Sequence, residues 1–288
     1  MTDGFESAAR LLPGTLREAA WALPERDRLR AEEFRLRAGR EPGVLLPEGE
    51  RSLCTGRCVR QGELLGVLEA ATGSSVHSAE RELSRGFVTA RGGVRVGVCG
   101  TLSPGGAMRD VSSLAVRIPR QVLSAGTGET RALALGNASV LIISPPGGGK
   151  TTLLRELVRT ASDAGMRVAL VDERGEVAAA VGGEPQFDVG RRTDVLTGAP
   201  KAEGAMLLLR AMGAQVIALD EVTAPGDVAA ISSVAGCGVR VFATAHAGSV
   251  DELARRPIYR EMLGLGVFKS AVVISRRGAE RLYRVAEL

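Results

Sequence analysis

The sequence predicts an α/β protein whose C-terminal half is built on a parallel sheet, and three observations carry that reading. Short apolar runs alternate with helical stretches from about residue 123 onward, the pattern of βαβ units. One of those runs is followed by Gly147-Gly148-Gly149 and then by a helical stretch. Residues 1–122 lack the alternation and mix helical with strand-like segments, so they are set apart as a smaller N-terminal α+β domain, with 123–288 as the second domain.

Within the first domain, residues 16–21 and the stretch around 31–36 read as helices, as does the apolar segment 64–72. Residues 78–85 are amphipathic and run into Gly86, a suitable C-cap. Val94, Val96 and Val98 alternate with Arg95 and Gly97 as a half-buried strand would, and Leu114, Val116 and Ile118 repeat the pattern. No residue set in this domain does obvious chemistry.

In the second domain, 140–144 is a compact apolar strand and 151–161 the helix beyond the glycines. The next strand is 167–172. A helix at 201–212 leads into a strand at 216–220, and a helix at 227–235 into a strand at 239–244. Pro257 must kink or interrupt the helix at 250–263, because it clashes with the preceding turn and lacks an N–H. Segments 271–275 and 281–285, joined by Arg276-Arg277-Gly278-Ala279, close the chain as a hairpin.

Composition bounds the rest. The chain has 288 residues, 45% of them apolar, which suits globular domains and excludes a disordered chain. Aromatics make up 3%, so the core rests on aliphatic residues. Lysine stands only at Lys150, Lys201 and Lys269, and arginine supplies the other basic positions, a compositional bias with little functional content. A net charge of +4 describes an ordinary solvated surface better than a phosphate-binding one. Asp3 and Glu6 interrupt the N-terminus, so no signal peptide is read there, and no apolar stretch approaches the roughly 20 residues of a membrane span. Cys54 and Cys58 have half a zinc spacing without a second pair, so the four cysteines read as free thiols of a cytoplasmic protein.

Ser144-Pro145-Pro146-Gly147-Gly148-Gly149-Lys150-Thr151-Thr152 follows a strand and opens a helix, which is the context of a Walker A loop with serine in the first glycine position. Backbone N–H groups of Pro146-Gly147-Gly148-Gly149-Lys150-Thr151-Thr152 (those residues that carry one) would converge on phosphate oxygens, helped by the helix dipole. Lys150 would reach the β- and γ-phosphates of ATP, and the Thr151 hydroxyl would ligate Mg²⁺. Downstream, Val216-Ile217-Ala218-Leu219-Asp220-Glu221 is an apolar strand ending in two carboxylates, as a Walker B element does. Asp220 could hold Mg²⁺ through water, and Glu221 could orient or deprotonate the attacking water.

Two further strand ends reach the same crevice. Val171-Asp172-Glu173-Arg174-Gly175-Glu176 could bring Glu173 near the γ-phosphate, since strand C-termini converge on the ligand in a doubly wound sheet. On spacing alone it is equally an ordinary surface turn. Val241-Phe242-Ala243-Thr244-Ala245-His246 ends the next strand, and its Thr244 and His246 could sense the γ-phosphate, although an isolated histidine is more often structural or solvated. Arg191-Arg192-Thr193-Asp194 reads as a basic loop whose arginines could reach a neighbouring subunit's phosphate, with Arg210 as a further candidate, or as a solvated turn.

These motifs, in this order, resemble the stage III sporulation protein AA family of endospore-forming bacteria. The resemblance covers the Walker A segment through Arg155, the acidic box at 171–176, Arg192-Thr193-Asp194-Val195-Leu196, Pro200-Lys201-Ala202-Glu203-Gly204, Arg256-Pro257, Gly266-Val267-Phe268 and Ser275-Arg276-Arg277. It extends into the first domain through Glu33-Phe34-Arg35-Leu36-Arg37 and Gly92-Gly93-Val94-Arg95-Val96-Gly97. The family commonly has glycine where Ser144 stands. It is similar to the ATPases of type II and type IV secretion and pilus systems, and so implies a RecA-like P-loop NTPase core. By that resemblance Glu173 is the acidic-box residue, Glu221 the catalytic glutamate and His246 the histidine-box residue, with Lys150 completing the catalytic set. Secretion ATPases usually have glycine where Asp220 stands. The resemblance also implies a hexameric homo-oligomer on the cytoplasmic side in the mother cell, docked on membrane proteins of a sporulation channel complex, with N-terminal domains that serve ring assembly. The alternative is a nucleic-acid-directed RecA-like ATPase. The scarce aromatics and the lack of an Arg four residues before either His77 or His246 argue against it.

Overall fold

Apolar–polar alternation organises the N-terminal part. The computed structural model describes residues 4–73, 80–103, 108–278 and 280–288, and divides into two units, Met1–Arg120 and Gln121–Leu288. Among the described residues, the first unit holds α1 (Gly4–Arg10), α2 (Gly14–Trp21), α3 (Glu25–Arg28), β1 (Glu33–Arg37), β2 (Gly43–Leu46), β3 (Gly49–Ser52), α4 (Gln61–Ala71), α5 (Glu80–Leu83), β4 (Phe87–Ala90), β5 (Val94–Leu102) and β6 (Met108–Arg117). Its antiparallel sheet runs β3-β2-β1-β6-β5-β4.

The stretch around 31–36, expected as a helix, contributes β1 instead. Phe34 and Leu36 are buried while Arg35 and Arg37 are less so, a period of two that a strand satisfies and a helix does not. Phe5 of α1 packs edge-on against Phe34 and Trp21, with ring centroids 5.5 and 5.6 Å apart. The helix expected over 78–85 lies partly outside the described residues, and its described part is α5.

The second unit holds α6 (Gly128–Leu135), β7 (Ser139–Ser144), α7 (Lys150–Asp163), β8 (Val168–Asp172), β9 (Thr193–Thr197), α8 (Lys201–Ala211), β10 (Val216–Leu219), α9 (Pro225–Gly236), β11 (Arg240–His246), α10 (Val250–Arg255), α11 (Pro257–Gly264), β12 (Phe268–Arg277) and β13 (Glu280–Glu287). The sheet order is β13-β12-β7-β11-β10-β8-β9, parallel throughout except for the β12–β13 hairpin. β11 therefore lies between the strand that leads into the glycines and the strand that ends in the acid pair.

Strands buried on both faces explain the unbroken apolar runs. Leu141 and Ile143 of β7, Val171 of β8 and Leu219 of β10 join one core with α8, α9, α10 and α11. Val140, Ile142, Leu170 and Ala218 point the other way, into a core with α6 and α7. Pro257 does interrupt the helical stretch, as N1 of α11, where a missing N–H costs nothing. Arg191 and Arg192 precede β9, an edge strand, so Thr193 and Asp194 belong to the sheet and not to a loop.

No helix among the described residues is long and apolar enough to cross a membrane.

Candidate functional site

The site forms where β7, β8, β10 and β11 end together, since His246 pairs with Ser144 and Leu219 lies between Val171 and Ala243. Between β7 and α7 the chain turns through Gly147 at φ 69° and Gly149 at φ 106°, a region side chains rarely tolerate. A Cβ on Gly148 would overlap Ser144 Oγ, so the serine in the unusual first position fits only against a glycine there.

Lys150 opens α7 and is only 6% exposed. Its Nζ donates to Ser144 O at 3.2 Å and lies 2.7 Å from His246 Nδ1. The His246 Nε2 is 3.1 Å from Glu221 Oε1. With a charged Lys150 donating to Nδ1, the imidazole carries its proton on Nε2 and donates it to Glu221, a tautomer assigned from these partners. Burial lowers the Lys150 ammonium from its ordinary value, while Glu221 and Asp220 oppose that shift.

Thr151 Oγ1 donates to Asp220 Oδ2 at 3.0 Å, and Thr244 Oγ1 donates to Asp220 Oδ1 at 2.9 Å. Burial raises the Asp220 carboxyl above its usual range, and these two hydroxyls pull it back. Thr244 braces the acid pair, because its oxygen also accepts the Glu221 N–H at 2.8 Å. Glu221 itself has φ 49°, the left-handed region, and its other oxygen is 3.6 Å from Arg174 Nη1.

The acidic segment is held from beneath. Asp172 accepts the N–H groups of Glu176, Val177 and Ala178, and burial still raises its carboxyl. Arg155 of α7 donates to the carbonyls of Glu176 and Val177 and lies 4.3 Å from the Phe187 ring centroid. Burial lowers its guanidinium to about 10. Glu173 Oε2 pairs with Lys201 Nζ at 2.6 Å, and Lys201 is also 3.9 Å from Asp227. A small cleft is lined by Asp172, Glu173, Arg174, Lys201, Asp220 and Glu221. A larger one, about 800 Å³, opens at the opposite end of the strands beside Ser139, Arg240 and Lys269 and contains none of these groups.

Lys150, Thr151, Asp220, Glu221 and His246 thus meet, and Glu173 lines the small cleft with Asp220 and Glu221. Arg191 and Arg192 do not join them: they lie by Asp163 and Ser162 at the end of α7, the far edge of the sheet. Arg210 is likewise at the far end of α8, donating to Met206 O. Sequence reasoning missed Lys201, Arg174 and Arg281, whose Nε donates to Gly148 O at 3.2 Å.

A parallel sheet with an inserted strand, a glycine loop capped by a buried lysine, and a Thr–Asp pair beside it define a RecA-like P-loop protein. The fold resembles that of the pilus retraction motor PilT solved with bound ADP, with a TM-score of 0.65 at 16% identity over 89% of this chain and 79% of that one. It also resembles the Legionella pneumophila ATPase DotB, with a TM-score of 0.60 at 16% identity over 89% of this chain and 76% of that one. The chain belongs to the family described as "Sporulation stage III, protein AA", whose model matches residues 6–283. It is 35% identical to the stage III sporulation protein AA of Bacillus subtilis (strain 168) over 93% of this chain and 90% of that protein.

Proposed function

We propose that this chain hydrolyses ATP with Mg²⁺ and that hydrolysis powers assembly or transport by a membrane-associated sporulation complex between mother cell and forespore. The observation that carries the enzymatic reading is Lys150, a buried ammonium at the mouth of the glycine loop that touches both Ser144 O and His246. A buried charge needs partners, and an anion at a helix N-terminus would be a strong one. The PilT structure has ADP bound, which supports a nucleotide as that anion.

The backbone of Gly147, Gly148, Gly149, Lys150, Thr151 and Thr152 and the Lys150 side chain would cradle the phosphates. The two oxygens of the Thr151–Asp220 pair suit a hard cation, so these residues would hold Mg²⁺, which would offset phosphate charge. Glu221, fixed by Thr244, His246 and Arg174, would orient a water and accept its proton. Glu173, anchored by Lys201, supplies a second carboxylate at the same cleft. Family membership supports the sporulation role, and with it a homo-oligomeric ring, a hexamer, on the cytoplasmic side in the mother cell, docked on membrane proteins through an N-terminal domain that serves ring assembly.

The test is phosphate release from ATP by the purified chain and by Glu221→Gln. The variant should still bind ATP and lose about 10²–10⁴-fold in turnover. A loss of only about twofold, far below what general base catalysis is worth, would move the role to Glu173.

A further inference from the structure

β13 is distant from the glycine loop in sequence but not in space. Arg281 Nε donates to Gly148 O at 3.2 Å across 133 residues of chain. A Cβ on Gly149 would lie 2.9 Å from Arg281 Nε and 3.2 Å from its Cδ, so the arginine stem rests directly on the loop's backbone. Gly149 itself stands at φ 106°, where a side chain is rarely tolerated, and its bare Cα leaves the arginine room. The C=O and N–H of one trans peptide point in opposite directions. A Gly148 carbonyl turned toward Arg281 therefore turns the Gly149 N–H away from that arginine.

We propose that Arg281 is a positioning residue for nucleotide: by holding the Gly148 carbonyl it keeps the Gly149 N–H presented to the phosphates. This rests on the ATPase reading above and adds to it a strut from the closing hairpin. Because Arg281 acts on loop backbone, it affects ADP and ATP alike and leaves the chemical step alone. A donor at the Nε position is what matters, and not the charge.

Glutamine makes that distinction, since its Nε2 stands the same number of bonds from Cα as arginine Nε and carries an N–H without charge. Affinity for a fluorescent ADP is measured for the wild type, Arg281→Ala, Arg281→Leu and Arg281→Gln, with apo melting temperatures alongside. The Ala and Leu variants should bind about tenfold more weakly, and Gln within about threefold of wild type. Turnover at saturating ATP should stay within about twofold for all three. If Ala is too unstable to assay, Leu keeps apolar bulk over the loop and makes the same comparison with Gln. Gln as weak as Leu would overturn the proposal in favour of a charge effect, and Leu as tight as wild type would overturn it outright. A wild-type chain that binds no ADP would remove the nucleotide reading itself and the Arg281 role with it. A chain that binds ADP with no change in the variants removes Arg281 alone.

Discussion

Lys150 Nζ lies 2.7 Å from His246 Nδ1, and the same imidazole reaches Glu221 through Nε2 at 3.1 Å. One ring thus joins the lysine that would meet phosphate to the glutamate that would meet water. On the proposed function, a phosphate entering the loop would compete with His246 for the Lys150 ammonium, and a shift of the ring would reach Glu221.

The first prediction follows from that competition. His246→Ala should lower ATP turnover about a hundredfold, since Glu221 loses the donor that aims it. ADP affinity should hold or rise, because Lys150 gives up no partner to bind phosphate. Steady-state turnover and ADP titration on the same preparations check this. ADP affinity falling in step with turnover would mean that His246 holds nucleotide directly.

Glu221 offers a stability prediction independent of any ligand. Its φ of 49° is unfavourable for a residue with a side chain. Glu221→Ala and Glu221→Gly both lose the His246 and Arg174 contacts, but only glycine relieves the backbone. Glycine should be the more stable variant by about 1 kcal/mol, against its usual disadvantage. Urea denaturation compares the two, and alanine as the more stable would contradict the strained geometry.

Asp172 is predicted to hold the acidic segment in place. Removing its carboxylate in Asp172→Ala leaves the amides of Glu176, Val177 and Ala178 without their acceptor. Unsatisfied buried donors cost about 1–3 kcal/mol each, so a loss of about 3 kcal/mol is expected after partial rearrangement. A loss under about 0.5 kcal/mol, typical of surface changes, would show that the loop finds other partners.

The parts of this molecule that were legible in its sequence are those with short-range grammar. Gly147-Gly148-Gly149-Lys150-Thr151 declares itself because the glycine turn and the helix start are contiguous. The Asp220–Glu221 pair is visible because a buried strand ends there. β1 was obscured because Phe34 and Leu36 offer only two apolar positions, too few to separate a period of two from a helical one. β9 was obscured because it is an edge strand, only partly buried and polar at Thr193 and Asp194. Lys201 meets Glu173 across 28 residues, and Arg281 meets Gly148 across 133, contacts that arise only once the sheet is assembled. The bracing role of Thr244 is not legible, since nothing local reveals that its hydroxyl meets Asp220 and the Glu221 amide.

Lys150 is central to the proposed function, and one measurement tests it directly: ATP hydrolysis by wild-type protein and by Lys150→Ala, across a wide range of protein concentrations. Removing a cation that stabilises transferring phosphate should cost at least about 10³-fold, so the variant should show no turnover above background while the wild type releases phosphate. Hydrolysis by Lys150→Ala at the wild-type rate would contradict the assignment of this loop as the nucleotide site.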